Sequence, residues 1–242
     1  MTAATKDYRR ISVAVHGDWG SGKTWFADTA PGPRLILDYE GGSMDTQSPK
    51  VFWNPMDEPP AASDLTKNTS VVVNVTDWTQ VDMAIKVLKS GQHPFNSVVL
   101  DSLTEMQSLC KRNISEGVGT IFDQQKWGKL LDMMAEHIRS LRDLTWPNSP
   151  RQVNVVIVMG SDTEAHPAIP LLQGALRKSI PGWVDVLGFM RDALGTDGMD
   201  IRVMDIVTGD AQAKCRLHAV RDTNGKVIVS PDMKTMIQQV NA

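Results

Sequence analysis

His16-Gly17-Asp18-Trp19-Gly20-Ser21-Gly22-Lys23-Thr24 carries the pattern G-x-x-x-x-G-K-[ST], with Gly17, Gly22, Lys23 and Thr24 at its defining places. Before it, Ile11-Ser12-Val13-Ala14-Val15 reads as a buried strand, and after it Thr24-Trp25-Phe26-Ala27-Asp28 can begin a helix. Strand, loop and helix in that order predict a phosphate loop, which a chance glycine-rich turn ending in Lys-Thr would not need. The glycines let the backbone curl so that the N–H groups from Gly17 through Asp18, Trp19, Gly20, Ser21 and Gly22 turn inward on an anion. The positive end of the new helix lies behind them. Lys23 is then expected to reach the β- and γ-phosphates, and the Thr24 hydroxyl to ligate Mg²⁺.

The bulk properties narrow the partners. A chain of 242 residues can bury one sizeable core, and a net charge of −3 gives no global field for a polyanion, so any nucleic-acid contact must be a local patch. No apolar run is long enough to span a bilayer, and Met1-Thr2-Ala3-Ala4-Thr5-Lys6 has no signal-peptide apolar core. Cys110 and Cys215 stand too far apart in sequence to form a paired metal-ligand motif. The expectation is a cytoplasmic protein with no membrane partner.

Further strands and helices alternate along the chain. Arg34-Leu35-Ile36-Leu37-Asp38-Tyr39-Glu40 reads as a second core strand ended by Gly41-Gly42, and an acidic residue there is placed for active-site chemistry. Glu40 at that position can polarise an attacking water; position alone leaves equal room for a solvated carboxylate or an Arg partner. Residues 44–70, with Pro49, Pro55, Pro59 and Pro60, read as a long loop or insertion. Val71–Val75 is a third strand. Asp77 and Gln80 form a capping box for the helix that follows.

Ser97-Val98-Val99-Leu100-Asp101 is an apolar strand ending in a carboxylate, and downstream of a phosphate loop Asp101 is the expected holder of Mg²⁺. Ser102 and Glu105 then open a helix. Gln124 to Leu144 is the clearest helix, with Trp127, Leu130, Leu131, Met134, Ile138 and Leu141 at helical spacing. Val153–Met159 is another strand, so Ser161 or Asp162 projects from the same sheet edge as Asp101, where the two readings are a γ-phosphate sensor and a plain turn.

The basic pair Arg177-Lys178 falls on a stretch read as loop. It has three readings: solvation, a nucleic-acid phosphate contact, or a finger reaching a neighbouring subunit's nucleotide. The last third reads as strands over 184–190, 201–207, 214–220 and 226–229, with hairpin signals at Thr208-Gly209-Asp210 and Thr223-Asn224-Gly225. A closing helix is expected with Ser230 as cap and Pro231 at its first position. No repeat or second composition regime interrupts the chain. The expectation is a single α/β domain over 1–242, a mainly parallel sheet flanked by helices with an antiparallel β extension at the C-terminal end.

With these residues placed, the chain resembles the RecA-like P-loop NTPase core. More narrowly, it is similar to phage-encoded P-loop nucleotide-binding proteins that include single-strand annealing proteins. The stretches that carry this are Gly17–Thr24, Leu37–Gly42, Val98–Glu105, Gln125-Lys126-Trp127-Gly128, Pro170–Gly174 and Arg221–Gly225. The resemblance implies an ATPase using ATP and Mg²⁺, with Glu40 in the place of the catalytic glutamate. It also implies that Arg177 and Lys178 lie where RecA-like proteins reach the next subunit's ATP, and that 161–174 corresponds to the DNA-binding loop. The resemblance departs at Gly160, Ser161 and Asp162, where recombinases carry a γ-phosphate-sensing glutamine.

The implied function is ATP-dependent phage recombination or replication on single-stranded DNA, by binding or annealing. The implied partners are single-stranded DNA, further copies of the chain with nucleotide at the subunit interface, and a single-strand-binding protein. The implied compartment is the host cytoplasm. A nucleotide-dependent protein-interaction module with slow, DNA-independent turnover is the competing reading. A small-molecule phosphotransferase ranks below both, because it would want an Arg-rich lid.

Overall fold

The computed structural model describes residues 8–115 and 121–242. The stretch Met1–Lys6, read above for a signal peptide, lies outside the described residues. The elements run in the order β1 (Ser12–Gly17), α1 (Lys23–Asp28), β2 (Arg34–Asp38), β3 (Lys50–Phe52), β4 (Ser70–Asn74), α2 (Trp78–Ser90), β5 (Ser97–Asp101), α3 (Leu103–Ile114) and α4 (Gln124–Asp143). They continue with β6 (Asn154–Met159), β7 (Ser161–Asp162), β8 (Ile169–Pro170), α5 (Leu176–Trp183), β9 (Val186–Leu194) and β10 (Asp200–Asp205). β11 (Lys214–Cys215), α6 (His218–Asn224), β12 (Val227–Val229) and α7 (Met233–Asn241) complete the chain.

Among the described residues ten strands form one sheet, in the order β12-β10-β9-β1-β6-β5-β2-β4-β3, with β11 paired to β9. The segment from β9 through β1, β6, β5, β2 and β4 to β3 is parallel, and β10, β11 and β12 are the antiparallel extension. Such a sheet is apolar on both faces, because alternate side chains point to opposite sides and each side is covered. Leu35, Leu37, Val98, Leu100, Val155 and Ile157 join the cluster under α2, α3, α4 and α5. Their neighbours Ile36, Val99, Val156 and Val158 join the cluster under α1, α6 and α7. The runs that read as uninterrupted apolar strands are therefore the centre of the sheet.

The helix signals translate into specific bonds. Asp77 and Gln80 form the capping box of α2, and Asp123 accepts from Lys126 N at 2.9 Å to start α4. Buried Arg34 is an exception inside a strand. Its guanidinium is 2% exposed and bonds Asp28 Oδ1 at 2.7 Å, the Ala30 carbonyl at 2.8 Å and Ser70 Oγ at 3.0 Å. A charge in a β-core persists only with such a full set of acceptors.

Within 44–70 the regular structure is limited to β3, a parallel edge strand beside β4, and a short 3₁₀ turn at Ala62–Asp64, with another at Gly42–Asp45 overlapping its start. Several other expectations are corrected. Residues 214–220 are only briefly extended, and Thr223-Asn224-Gly225 ends helix α6 instead of forming a hairpin. Gly225, at φ 68°, is the helix stop. β10 and β11 both pair with β9, so Thr208–Asp210 turns between two strands that do not pair with each other. Asp232, not Ser230, caps α7, accepting from Thr235 N at 2.7 Å. Arg177 and Lys178 lie in the first turn of α5, not on a loop. Among the described residues no helix is long and apolar enough to cross a membrane.

Candidate nucleotide site

The parallel strands bring their carboxyl ends to one edge, the usual place for a ligand in an open α/β sheet. There Asp38 pairs in register with Asp101, Asp101 with Val158, and His16 with Met159. β6 therefore lies between the phosphate-loop strand and the Asp101 strand.

The loop itself is held by its own atoms. Gly20 and Gly22 take φ of +77° and +88°, which side chains with a Cβ adopt only with strain. Asp18 Oδ1 accepts from Trp19 N at 2.8 Å, and the Asp18 carbonyl accepts from Ser21 Oγ at 2.8 Å. Lys23 Nζ lies back on the loop, donating to the Gly17 and Asp18 carbonyls at 3.0 and 2.6 Å. Burial lowers its pKa, with Asp101, Glu40 and Asp18 opposing. An ammonium held this way has donors to transfer to phosphate.

Thr24 Oγ1 donates to Asp101 Oδ2 at 2.8 Å. Burial raises the Asp101 carboxyl to about 6; the Thr24 bond and Lys23 pull it down, while the charges of Glu40 and Asp38 push it up. Two adjacent hard oxygens facing a phosphate loop fit Mg²⁺, which takes one or two protein oxygens and completes its shell with phosphate and water.

Glu40 is set by its neighbours. Ser102 Oγ donates to Glu40 Oε1 while accepting from Glu105 N at the start of α3. Buried Asp38 builds the turn beneath, accepting from Glu40 N at 3.0 Å, Gly41 N at 2.7 Å, Ser43 N at 3.1 Å and Ser43 Oγ at 2.5 Å. Lys23, Thr24, Glu40, Asp101 and Ser102 line one cleft of about 690 Å³ with Trp19, Gly160 and Arg202. That volume suits a small-molecule cofactor.

The AAA domain family matches residues 9–216, the span that contains every part of this cleft. The chain belongs to the AAA domain family. No curated protein matches its sequence. Membership makes this AAA-domain protein a nucleotide-binding P-loop ATPase, and its mostly parallel sheet flanked by helices agrees.

The remaining predicted residues of the AAA-domain ATPase fall elsewhere. Gly160 lines the cleft; Ser161 and Asp162 form β7, paired with β8. Ser161 Oγ is engaged by His16 Nδ1 at 2.9 Å. The Gln212 carbonyl, which only accepts, takes the other ring nitrogen at 2.7 Å, so Nε2 carries the proton and Ser161 donates to Nδ1. Burial pushes the His16 pKa down to about 4 and keeps the ring neutral.

Arg177 and Lys178 open instead onto a neighbouring groove of about 840 Å³, with Lys111, Trp127 and Gln173. Trp183, at the end of α5, does not line that groove and lies under Arg139, 4.8 Å from guanidinium carbon to ring centre.

Sequence reasoning missed Asp38, Arg202 and Thr104. Asp38 was legible as the second strand-end carboxylate beside Gly41-Gly42. Thr104 lies within the Val98–Glu105 stretch but had no role read for it, and Arg202 carries no motif; the packing of α3 and of β10 places them at the site.

Proposed function

We propose that this ATPase works on single-stranded DNA, holding the strand in the groove beside its nucleotide cleft and using ATP–Mg²⁺ to control that grip. The continuity of the two sites carries the reading. Thr104 and Leu171 line both the cleft and a groove of about 740 Å³ that continues over Gln107, Lys111 and Arg112. Lys111 and Gln173 are shared in turn with the groove of Arg177 and Lys178. Lys111 Nζ stands 5.2 Å from the Trp127 ring centre and 5.4 Å from that of Phe122. Cations interleaved with an aromatic ring are what a phosphate backbone with stacked bases requires. Lys111, Arg112, Arg177 and Lys178 supply the local patch that a chain of net charge −3 needs.

In the proposed cycle the phosphate-loop N–H groups and Lys23 bind the triphosphate. Thr24 and Asp101 would hold Mg²⁺, which would supply charge neutralisation at the phosphates. Glu40, positioned by Ser102 and the Asp38 turn, orients the attacking water and takes its proton. The response to the γ-phosphate passes through Thr104. Its Oγ1 accepts from Gly160 N at 3.0 Å in the cleft and donates to the Leu171 carbonyl at 3.2 Å in the groove. Gln107 clamps the same segment by exchanging bonds of 2.8 and 3.1 Å with the Gln173 backbone. A shift at Gly160 therefore has a short path to the strand-binding wall.

The biological role we propose, resting on the motif resemblance given above, is phage recombination or replication by single-strand binding or annealing. It would proceed as an assembly of copies and alongside a single-strand-binding protein.

The test is ATP turnover with and without a single-stranded oligonucleotide, for native protein, Lys23→Ala and Glu40→Gln. The reading expects stimulation by DNA and its loss in both variants. Slow turnover indifferent to DNA, with nucleotide-dependent capture of a protein, would favour the interaction-module reading instead.

A further inference from the structure

A cation from the antiparallel extension lies directly on the phosphate loop. β9 runs alongside β1 with Met190 opposite Gly17. The fit is tight, since a Cβ on Gly17 would stand 2.4 Å from the Met190 carbonyl oxygen. The chain then turns back as β10, with Arg202 opposite Asp192. The Arg202 side chain comes to rest over Gly22, where a Cβ would meet Cδ and Nη1 at 2.7 Å and Cζ at 2.8 Å. Gly22 is thus constrained twice, by its positive φ and by the guanidinium above it.

The backbone of Arg202 is fixed from the far side as well, its carbonyl accepting from Ser230 N at 2.9 Å. Its side chain is exposed and lines the cleft with Lys23 and Thr24. Neighbouring Arg191 is neutralised by both oxygens of Asp205, at 2.7 and 3.1 Å. Arg202 forms no ion pair among the described residues.

We propose that Arg202 is a phosphate-binding residue of the nucleotide site, supplied by the same chain that supplies the phosphate loop. The proposal rests on the cleft being the nucleotide site. The loop backbone around Gly22 cradles the α- and β-phosphates while Lys23 reaches on to the β and γ. A guanidinium lying over Gly22 is therefore at the α/β end, where its planar fork can take two phosphate oxygens. This distinguishes it from Arg177 and Lys178, which open onto the groove. It also predicts its own specificity: Arg202 serves diphosphate and triphosphate alike, because neither contact involves the γ-phosphate.

Equilibrium titration with fluorescent ADP and ATP analogues in Mg²⁺ tests this, on native protein, Arg202→Ala, Arg202→Gln, Arg202→Lys and Lys23→Ala. Thermal unfolding of each checks that β10 is intact, and the Gln variant preserves side-chain length should Ala disturb the strand. The expected result is a loss of about tenfold for both nucleotides with Ala and Gln, and partial recovery with Lys. Affinity within about twofold of native in folded Ala and Gln variants overturns the proposal. If Lys23→Ala weakens binding and Arg202→Ala does not, only the Arg202 assignment fails. If neither does, the nucleotide reading of the cleft fails with it.

Mixing Arg202→Ala with Lys23→Ala protein separates same-chain from neighbour-chain action. Turnover no greater than the sum of the two supports the assignment. Recovery above that sum contradicts it, because only an arginine acting across an interface can complete an intact phosphate loop on another chain.

Discussion

Thr24 and Asp101 are joined by a hydrogen bond of 2.8 Å, which ties the first turn of α1 to the end of β5 across the intervening strand. That bond pre-positions the two oxygen donors expected to hold Mg²⁺ before nucleotide arrives. Asp101→Asn keeps the shape and removes the charge. Mg²⁺-dependent nucleotide affinity should fall by about 10- to 100-fold. Affinity measured in excess chelator should be nearly unchanged, and titrations with and without the metal check this.

Glu40 is expected to act in turnover and not in binding. Glu40→Gln should lower the turnover rate by about 10²- to 10⁴-fold while nucleotide affinity stays close to native. Ser102→Ala, which releases Glu40 Oε1, should give a smaller loss in rate with the same affinity. Single-turnover hydrolysis together with a binding titration separates the two effects.

The buried pair Arg34–Asp28 is a stability determinant remote from the cleft. Asp28 Oδ1 accepts from Arg34 at 2.7 Å, Ser48 Oγ at 2.6 Å and Ser70 Oγ at 3.0 Å, joining α1, β2, β4 and the segment before β3. Asp28→Ala leaves the guanidinium uncompensated and should cost about 3–5 kcal/mol in urea unfolding. The cost should show as a lower midpoint with the slope unchanged.

His16 and His93 make the fold acid-sensitive. Burial holds each folded-state pKa down to about 4, from 6.5 when exposed. Between those values the unfolded chain binds the proton and the folded one does not. Their contribution is therefore fully present above pH 6.5 and is lost progressively as pH falls towards 4. For His16, fully buried, the loss is on the order of 3 kcal/mol across that window. Urea unfolding from pH 7.5 to 4.5 should show stability declining with acid, and His16→Gln should flatten the slope.

What the sequence revealed and what it hid have physical reasons. The phosphate loop, Asp101 and the doubly buried strands were legible because each is encoded locally, in glycine placement or in apolar runs. Glu40 was legible as a position, but the atoms that aim it, Ser102 and Asp38, meet only when β2 and β5 pair in register. The extension was misread near its end because Asn224-Gly225 suits both a hairpin and a helix stop, and the burial of Val220, on the inner face of α6, in the core decides between them. Ser161 stood at the right edge, yet its hydroxyl is bonded to His16, a residue 145 positions away. Arg202 had no local signal, since its role depends on β10 folding back beside the loop.

The central claim is that the groove beside the cleft holds single-stranded DNA under nucleotide control. Fluorescence anisotropy of a labelled single-stranded oligonucleotide, with and without ATP–Mg²⁺, tests it on native protein and on Lys111→Ala combined with Arg177→Ala. Native protein should bind in a nucleotide-dependent way. The double variant should lose about tenfold or more in affinity and show a shallower dependence on salt as two phosphate contacts disappear. Equal binding by both proteins, or no binding by either with nucleotide bound, would contradict it.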